Sequence, residues 1–256
     1  MVNKTLVLYV FHIFNEYVEY FIDNCIFEDE NVDFIIISNN LEKIENYSNI
    51  KIPNYVKVLY RDNIGYDFGG WSEALLTNNL YKNYDYFIFA NSSIIGPFIH
   101  DYFTGKWTDI YINGLTDNIK LFGSTINFNS NPNNDIHIQS YIFSTDKEGL
   151  EYLIENLIFS VTNIVITFND AIQNKEIEMS RLIHKKGWRI NSLSSYYNFL
   201  YNNFVNNNDY NIIADKYNND IMYEQYRNIL WNEYELVFIK GNRIPIFPPN
   251  YKNKNK

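Results

Sequence analysis

Short apolar runs separated by polar segments set the pattern of the N-terminal part of the chain. Four runs are rich in β-branched and aromatic residues: Thr5–Phe11, Asp33–Ser38, Tyr55–Tyr60 and Tyr84–Ala90. A strand that is covered on both faces shows such a run instead of a regular alternation of apolar and polar residues. The pattern therefore predicts four strands, most of them buried.

Helical spacing occurs between these strands. Asn15 is a suitable N-cap, and the apolar side chains that follow it recur near helical spacing. The glycine-containing segment 61–71 leads into a second helix over roughly residues 71–81, with Trp71 at its start. The order strand, helix, strand, strand, helix, strand is typical of the nucleotide-binding half of an open, mostly parallel sheet.

The second half of the chain mixes both patterns. We expect strands over Lys120–Phe128 and Ile136–Ser144, and helices over Lys147–Ile158 and Ile172–Lys186. Shorter features follow: an extended piece at Arg189–Leu193, a polar loop at Asn202–Asp209, a closing strand at Leu236–Lys240 and a flexible tail over residues 246–256. No linker rich in Pro, Gly or Ser divides the sequence. Residues 1–256 are therefore expected to form one α/β domain, a Rossmann-like three-layer fold with a central, mostly parallel mixed sheet.

Composition and charge narrow the classes of partner. The chain has 256 residues, of which 46% are apolar, so it can bury a sizeable core. Its net charge of −9 argues against a nucleic-acid partner and a polybasic membrane anchor. The 23 Tyr and 19 Phe are explained by AT-rich codons, with stacking of surface Tyr on sugars as the functional alternative.

Cysteine usage and the N-terminal run bear on the compartment. Cys25 is the single cysteine, so the chain has no internal disulfide framework, and its amphipathic surroundings predict a small buried apolar residue. The run Leu6–Phe14 contains His12 and lacks a cleavage site, so it does not read as a signal peptide. No stretch reaches the 18 or so apolar residues of a membrane span. We expect a cytoplasmic, reducing location.

Segment 61–71 is the first candidate binding element. Arg61 offers a bidentate fork, Asn63 and Asp67 offer polar groups for a ribose or base, and Gly65 permits close backbone approach. The structural alternative is a glycine turn in which Arg61 pairs with Asp62 or Asp67. Neither a dinucleotide fingerprint nor a P-loop is present.

Segment 91–98 follows the fourth strand, so it is expected to line the same crevice as segment 61–71 at the carboxyl ends of the strands. It begins Asn91-Ser92-Ser93, which can bond a diphosphate or sugar hydroxyls but binds Mg²⁺ or Mn²⁺ poorly. The structural alternative is a turn stabilised by these short polar side chains.

Three further groups could carry chemistry. His137 shares a strand face with Gln139, although a lone His is more often structural. Glu176 and Glu178 lie early on a helix, where one could act as a general base or where Glu178 could pair with Arg181 three residues on. A last group, Lys240-Gly-Asn-Arg243, could neutralise a departing diphosphate or form a polar turn.

Several of these segments resemble those of rhamnan-synthesis-type and related GT-A-like glycosyltransferases. The family's Arg-x-Asn-x-Gly-x-Asp-Phe is matched by Arg61-Asp-Asn-Ile-Gly-Tyr-Asp-Phe68, and its Asn-Ser-Ser-x-x-Gly-Pro-Phe by Asn91-Ser-Ser-Ile-Ile-Gly-Pro-Phe98. Further pieces follow in the expected order over roughly residues 5–245: Trp107, Leu121–Ile126, His137–Ser140, Thr145–Leu150, Glu176–Ser180 with Gly187-Trp188, and Glu235–Arg243.

The resemblance implies a GT-A-like hexosyltransferase that moves a sugar from a nucleoside diphosphate, with a UDP-sugar favoured and rhamnose as a candidate sugar, to a hydroxyl of a glycan in polysaccharide biosynthesis. The nucleotide-binding half would span about residues 1–100 and the acceptor half about 101–245. Arg61, Asn63 and Asp67 would bind the nucleoside.

The resemblance also assigns the rest of the site. Asn91 and Ser93 would occupy the place where metal-dependent GT-A enzymes carry an Asp-x-Asp, and the absence of that motif leaves the use of Mn²⁺ or Mg²⁺ open. Glu176 would lie near the acceptor, and Lys240 and Arg243 near the diphosphate. Two other functions stay open: a non-catalytic carbohydrate or nucleotide-sugar binding module, and, with less support, another nucleotide-using enzyme such as a methyltransferase or dehydrogenase.

Overall fold

The computed structural model describes residues 3–47, 50–127, 136–195, 198, 202, 225–226, 229–230 and 232–241. The expected tail over 246–256, Arg243 and all but the first residue of the loop Asn202–Asp209 lie outside these residues. The strands are β1 Thr5–Phe11, β2 Val32–Ser38, β3 Lys57–Tyr60, β4 Tyr86–Asn91, β5 Ile94–Ile95, β6 Ile119–Gly123, β7 Ile126–Asn127, β8 His137–Ile138, β9 Ile142–Asp146, β10 Arg189–Ser192, β11 Gln225–Tyr226, β12 Ile229–Leu230 and β13 Ile239–Lys240.

Helices connect most of these strands. The α-helices are α1 Glu16–Asn24, α2 Tyr66–Leu76, α3 Trp107–Ile112, α4 Lys147–Glu155, α5 Phe168–Ala171, α6 Glu178–Lys185 and α7 Glu233–Leu236. Two 3₁₀ segments (Ile44–Asn46 and Thr77–Asn83) and one π-helical segment (Ile172–Ile177) also occur in the described part of the chain. Among the described residues, none of the helices combines the length and apolar character that crossing a membrane requires.

A seven-stranded sheet with the order β10-β6-β9-β4-β1-β2-β3 forms the centre of the molecule. Strand β9 runs antiparallel to both of its neighbours, and the other pairs are parallel. This confirms the expected α/β class with a central, mostly parallel mixed sheet.

Two apolar layers cover the sheet, because alternate residues of a strand point to opposite faces. Leu6, Leu8 and Val10 of β1 belong to the core beneath α2, α4 and α6. Val7, Tyr9 and Phe11 belong to the core beneath α1 and α3. Every residue of β1 is buried, which explains why its sequence is a continuous apolar run. The chain therefore forms three layers.

The strand order reverses between β1 and β4. The chain leaves β1 towards β2 and β3 on one side, and returns through α2 to β4 on the other side of β1. Ligands of open α/β sheets bind at such a switch point, outside the carboxyl ends of the strands. Asn91, the last residue of β4, lies there.

Several predicted boundaries are wrong in an informative way. The helix expected over about 71–81 begins at Tyr66, because Gly65 adopts a left-handed conformation (φ 77°) that turns the chain into it. Trp71 is therefore fully buried in mid-helix and does not form the helix N-terminus.

Two strands and one helix are each interrupted. The strand expected over Ile136–Ser144 consists of β8 and β9, separated by a turn at Ser140. The strand expected over Lys120–Phe128 divides into β6 and β7, and Phe128 lies outside the described residues. The helix expected over Ile172–Lys186 starts earlier, at Phe168, and consists of α5, a π-helical segment over Ile172–Ile177, and α6.

Candidate active site

Asn91 connects the two segments that line the crevice at the switch point. Its side-chain Nδ2 donates a hydrogen bond to Asp67 Oδ2 (2.9 Å), and its Oδ1 accepts from the backbone N (3.0 Å) and Oγ (2.5 Å) of Ser93. The backbone N of Ser92 donates to Val10 O at the end of β1 (3.0 Å). The expected meeting of segments 61–71 and 91–98 is therefore formed by Asp67 and Asn91, and Ser92 ties the second segment to β1.

Asp67 lies in the first turn of α2 and is half-buried. Burial raises the pKa of Asp67 to about 6, against a hydrogen bond from Asn91 that lowers it, and the nearby charge of Glu176 raises it further. Glu176 therefore shares the crevice with Asp67, although more than a hundred residues separate them in the sequence.

Close approach of α2 to its surroundings depends on glycine. A Cβ added to Gly69 would lie 2.1 Å from Ile64 O, and one added to Gly65 would lie 2.9 Å from Ile164 Cγ2. Gly70 packs against β1 and β2, where a Cβ would lie 3.1 Å from Asn39 Oδ1. A side chain at any of these three positions would displace the start of α2 or its neighbours at the switch point, so glycine is needed there.

Arg61 is buried and bonded to protein groups. Its Nε donates to Glu73 Oε2 (2.8 Å), and its two terminal nitrogens donate to Asn39 Oδ1 (2.6 Å) and Ile64 O (2.7 Å). Neither pairing considered from the sequence, with Asp62 or Asp67, accounts for these bonds. The guanidinium fixes the loop before α2 to the end of β2, while Asn63 is exposed on the same loop.

Glu176 lies in the π-helical segment, a form of helix that often occurs at functional sites. Its carboxylate accepts hydrogen bonds from Ser140 Oγ (2.9 Å) and Ser140 N (3.3 Å), and lies 3.5 Å from His137 Nε2. Burial raises the pKa of Glu176, but the His137 and Ser140 hydrogen bonds and the charge of Lys240 outweigh it, so the pKa lies below its ordinary value. The geometry keeps this half-buried carboxylate ionised.

Glu178 has different surroundings. It forms an ion pair with Arg181 (3.3 Å) three residues further along α6, and 38% of its side chain is exposed. The helix-face pairing that the sequence left open is therefore present. Of the two candidate glutamates, Glu176 alone has contacts with His137 and Ser140 in the described part of the chain.

The turn after β8 orients the Glu176 carboxylate. His137 is 4% exposed and lies on β8, which pairs with β7. Gln139 Oε1 accepts a hydrogen bond from Thr125 Oγ1 (2.8 Å), so this amide contributes to the core of the turn. Ser140 then directs its Oγ and backbone N towards Glu176. The sequence suggested that His137 and Gln139 act together on one strand face. In the structure, Ser140 is the residue that contacts the Glu176 carboxylate together with His137.

Lys240 reaches the site from the other end of the chain. Strand β13 pairs antiparallel with β5, so Lys240 lies opposite Ile94, and Gly241 N donates to Ser93 O (2.6 Å). The charge of Lys240 lowers the pKa of Glu176, which places the ammonium near that carboxylate. Arg243 lies outside the described residues.

Two contributors to the site were missed from the sequence. Asn39 directly follows β2 and binds Arg61, and Glu73 of α2 binds the same guanidinium. Asn39 could have been found by the rule that singled out Asn91, because both lie at the carboxyl end of a buried strand of the sheet. Glu73 carries no comparable signal, since one acidic residue in a helix is common.

The donor set does not fit a divalent cation well. Within the described ranges, His, Cys, Asp and Glu side chains form no group of three or more that could bind a metal ion. The end of β4 offers the amide and hydroxyls of Asn91, Ser92 and Ser93, and the amide oxygen is engaged by Ser93. Mg²⁺ and Mn²⁺ prefer carboxylate oxygens, which these three side chains at the end of β4 do not offer.

Two named relatives share part of this sequence. The virulence protein VirA of Vibrio anguillarum is 30% identical over 140 residues, which cover 52% of this chain and 40% of VirA. The uncharacterized protein y4gN of Sinorhizobium fredii is 25% identical over 226 residues, or 84% of this chain and 55% of y4gN. The chain thus spans about half the length of these relatives.

Solved structures of similar shape include two nucleotidyltransferases. A cytidylyltransferase from Leptospira borgpetersenii superposes with a TM-score of 0.42 and 12% identity, covering 77% of this chain and 78% of the other. A chain from Bacillus anthracis, named as a glucose-1-phosphate thymidylyltransferase in complex with a sucrose, superposes with a TM-score of 0.40 and 12% identity. The match covers 85% of this chain and 97% of the other. Similarity at this level carries no functional argument.

The family comparison is stronger. A family model described as rhamnan synthesis protein F matches residues 34–217, well over half of the chain. The match begins within β2 and includes segment 61–71, Asn91, His137 and Glu176. It confirms the resemblance seen in the sequence motifs: the chain belongs to the rhamnan synthesis protein F family.

Proposed function

We propose that this chain is a glycosyltransferase domain that moves a sugar from a nucleoside diphosphate to a hydroxyl of a glycan, in polysaccharide synthesis. A UDP-sugar is the favoured donor, and rhamnose is a candidate sugar. One observation carries the proposal: Glu176 is an ionised carboxylate, oriented by His137 and Ser140, that shares the switch-point crevice with Asp67 and Asn91.

The donor would bind along the carboxyl ends of β3 and β4. The nucleoside would contact the loop of Asn63 and Gly65, which Arg61 holds in place through three hydrogen bonds. The diphosphate would lie between Asn91–Ser93 and the Lys240 ammonium, where hydroxyls, amides and a cation suit its charge. Asp67 would bond a donor hydroxyl.

The proposed reaction is a substitution at the anomeric carbon. The acceptor hydroxyl gives its proton to Glu176 while its oxygen forms a bond to the anomeric carbon. The bond between that carbon and the diphosphate oxygen breaks, and its electron pair leaves with the nucleoside diphosphate. Lys240 stabilises the charge that develops on the leaving group. His137 and Ser140 keep the carboxylate facing the acceptor.

A binding module without turnover is the second candidate. The neutral end of β4 favours it, because Asn91 replaces the acid that a metal-dependent transferase would use. Such a module would still bind nucleotide sugars in the same crevice, so binding alone does not separate the two functions.

The test is incubation of the purified chain with UDP-, GDP- and TDP-sugars, with and without oligosaccharides, while free nucleoside diphosphate and the thermal midpoint are measured. A transferase releases nucleoside diphosphate above the blank rate, and faster with an acceptor present. Thermal stabilisation without release identifies a binding module. Stabilisation by nicotinamide or methionine-derived cofactors, but by no nucleoside diphosphate, would contradict both.

A further inference from the structure

Three aromatic rings form a stack on the surface of the molecule. The His100 ring lies between Tyr102 and Tyr234, at centroid distances of 4.9 Å and 4.2 Å and interplanar angles of 12° and 10°. Tyr102 is 81% exposed. Isolated surface aromatics are ordinary, but a parallel stack with an open outer ring presents a flat apolar face to solvent.

Contacts on both sides keep the stack in place. Tyr234 belongs to α7 and meets the buried ring of Phe98 edge to face at 6.4 Å. Phe98 N donates to Val237 O (2.7 Å), and Phe103 N donates to His100 O (2.9 Å), which closes a turn around Tyr102. A ring that is already oriented loses little side-chain entropy when a ligand covers it.

The stack is continuous with the candidate site in sequence and in structure. The segment that carries His100 and Tyr102 leaves the crevice at Asn91, and the segment that carries Tyr234 enters it at Lys240. The β5–β13 pair joins these two segments. The stack and the candidate site are therefore carried by the same two segments of the chain, which the β5–β13 pair holds side by side.

We propose that the outer face of Tyr102 is a subsite for a sugar ring of the glycan acceptor. This inference rests on the proposed function, and it adds a position for the acceptor away from the reacting hydroxyl. The flat C–H face of a pyranose can stack on such a ring, and the exposed carboxylate of Asp101 beside it can accept hydrogen bonds from sugar hydroxyls.

The charges around the stack favour a neutral sugar over a nucleobase. A nucleic-acid strand needs cations for its phosphates. Lys106 follows His100 and Tyr102 in the chain, and its Nζ forms ion pairs with Asp29 Oδ2 at 3.0 Å and with Asp109 Oδ1 at 4.0 Å. The net charge of the whole chain is −9.

Binding and turnover should be measured separately with Tyr102→Ala, His100→Ala and Tyr102→Phe. Tyr55→Ala is the matched control, since Tyr55 is 42% exposed and precedes β3. The probes are tetrasaccharides of rhamnose, glucose and N-acetylglucosamine, titrated by nuclear magnetic resonance, together with donor hydrolysis without acceptor.

Tyr102→Ala and His100→Ala should weaken binding of the tetrasaccharide preferred by the wild type by roughly five- to tenfold, the size of one aromatic stacking contact. Tyr102→Phe and Tyr55→Ala should bind it as the wild type does, and donor hydrolysis should be unchanged in all four variants.

The subsite is refuted if Tyr102→Ala binds normally, if Tyr55→Ala is equally impaired, or if the wild type binds none of the tetrasaccharides. Failure of the proposed function looks different. In that case tetrasaccharide binding depends on Tyr102, while no donor is turned over.

Discussion

At the scale of single residues, the crevice shifts the pKa values of two carboxyl groups, Asp67 and Glu176, in opposite directions. Burial raises the pKa of Asp67 to about 6, while the hydrogen bonds of His137 and Ser140 and the charge of Lys240 take that of Glu176 below its ordinary value in spite of burial. At neutral pH, Glu176 is therefore ionised, and Asp67 lies close to its own pKa of about 6. Such a divergence between neighbouring acids is typical of sites that move protons.

Asp67 should make the free energy of unfolding depend on pH. A carboxyl with a raised folded-state pKa stabilises the fold most below its unfolded pKa, and that contribution is lost as pH rises through about 6. Asp67→Asn keeps the acceptor for Asn91 and removes the charge. The free energy of unfolding of Asp67→Asn, relative to that of the wild type, should therefore rise by on the order of 1 kcal/mol from pH 4 to pH 7, after discounting for solvent screening.

Urea unfolding at several pH values measures this difference. Asp62→Asn, on the exposed part of the same loop, is the control and should follow the wild type at every pH. If the free energies of unfolding of Asp67→Asn and the wild type change in parallel with pH, Asp67 does not titrate in this range.

His137 should act through Glu176. Replacement of His137 by Leu removes a hydrogen bond to the carboxylate, and burial then raises the pKa of Glu176. The acid limb of kcat/KM should move up by about one pH unit, because one hydrogen bond to a charged group contributes roughly 1.5 kcal/mol.

The pH–rate profile of the proposed sugar transfer measures this shift. Ser140→Ala should move the acid limb in the same direction, because it removes the Oγ hydrogen bond to the same carboxylate. An unshifted limb with a uniformly lower rate would mean that His137 acts only on the stability of the fold.

At the scale of elements, the first turn of α2 is the most constrained part of the site. Gly69→Ala would place a Cβ 2.1 Å from Ile64 O, the carbonyl that accepts from Arg61. The loop before α2 must then shift, at a cost of about 1 to 3 kcal/mol. Affinity for the preferred nucleoside diphosphate should fall at least tenfold in calorimetric titration.

Gly187→Ala provides the comparison for this variant. Gly187 has φ +88°, so a side chain there is strained, but nothing lies within 4 Å of the added Cβ. It should lose about 1 kcal/mol of stability and keep its nucleotide affinity. Equal losses of affinity in the two variants would indicate general destabilisation.

The elements also show where sequence patterns lose their power. Continuous apolar runs predicted β1, β2 and β4 well, because strands covered on both faces carry that signal. The π-helical turn at Glu176 was not predictable, since it keeps helical spacing nearby while shifting hydrogen bonds by one residue. The turn at Ser140 was hidden by the apolar residues on either side of it.

At the scale of the whole molecule, the order of strands and helices predicted more than their boundaries did. The order strand, helix, strand, strand, helix, strand predicted that segments 61–71 and 91–98 line one crevice, and Asp67 and Asn91 meet there. The antiparallel strand β9 and the return of β13 to β5 depend on long-range pairing, for which local pattern gives no signal.

The site was predictable to the same extent. Residues that follow strand ends could be named from the sequence, as Asn91 and Asp67 show. Whether Glu176 or Glu178 faces the crevice depends on contacts with Ser140 and His137, which are distant in the sequence. The direction of the Arg61 guanidinium, towards Asn39 and Glu73, likewise depends on tertiary packing.

The central claim is that Glu176 accepts the proton of the acceptor hydroxyl, and transfer rate against donor affinity in Glu176→Gln tests it most directly. Glu178→Gln is the matched control on the same stretch of helix. We expect Glu176→Gln to lower kcat by about 10²- to 10⁴-fold with an unchanged dissociation constant for the donor, and Glu178→Gln to retain the wild-type rate. Full transfer by Glu176→Gln, or an equal loss in Glu178→Gln, would contradict the claim.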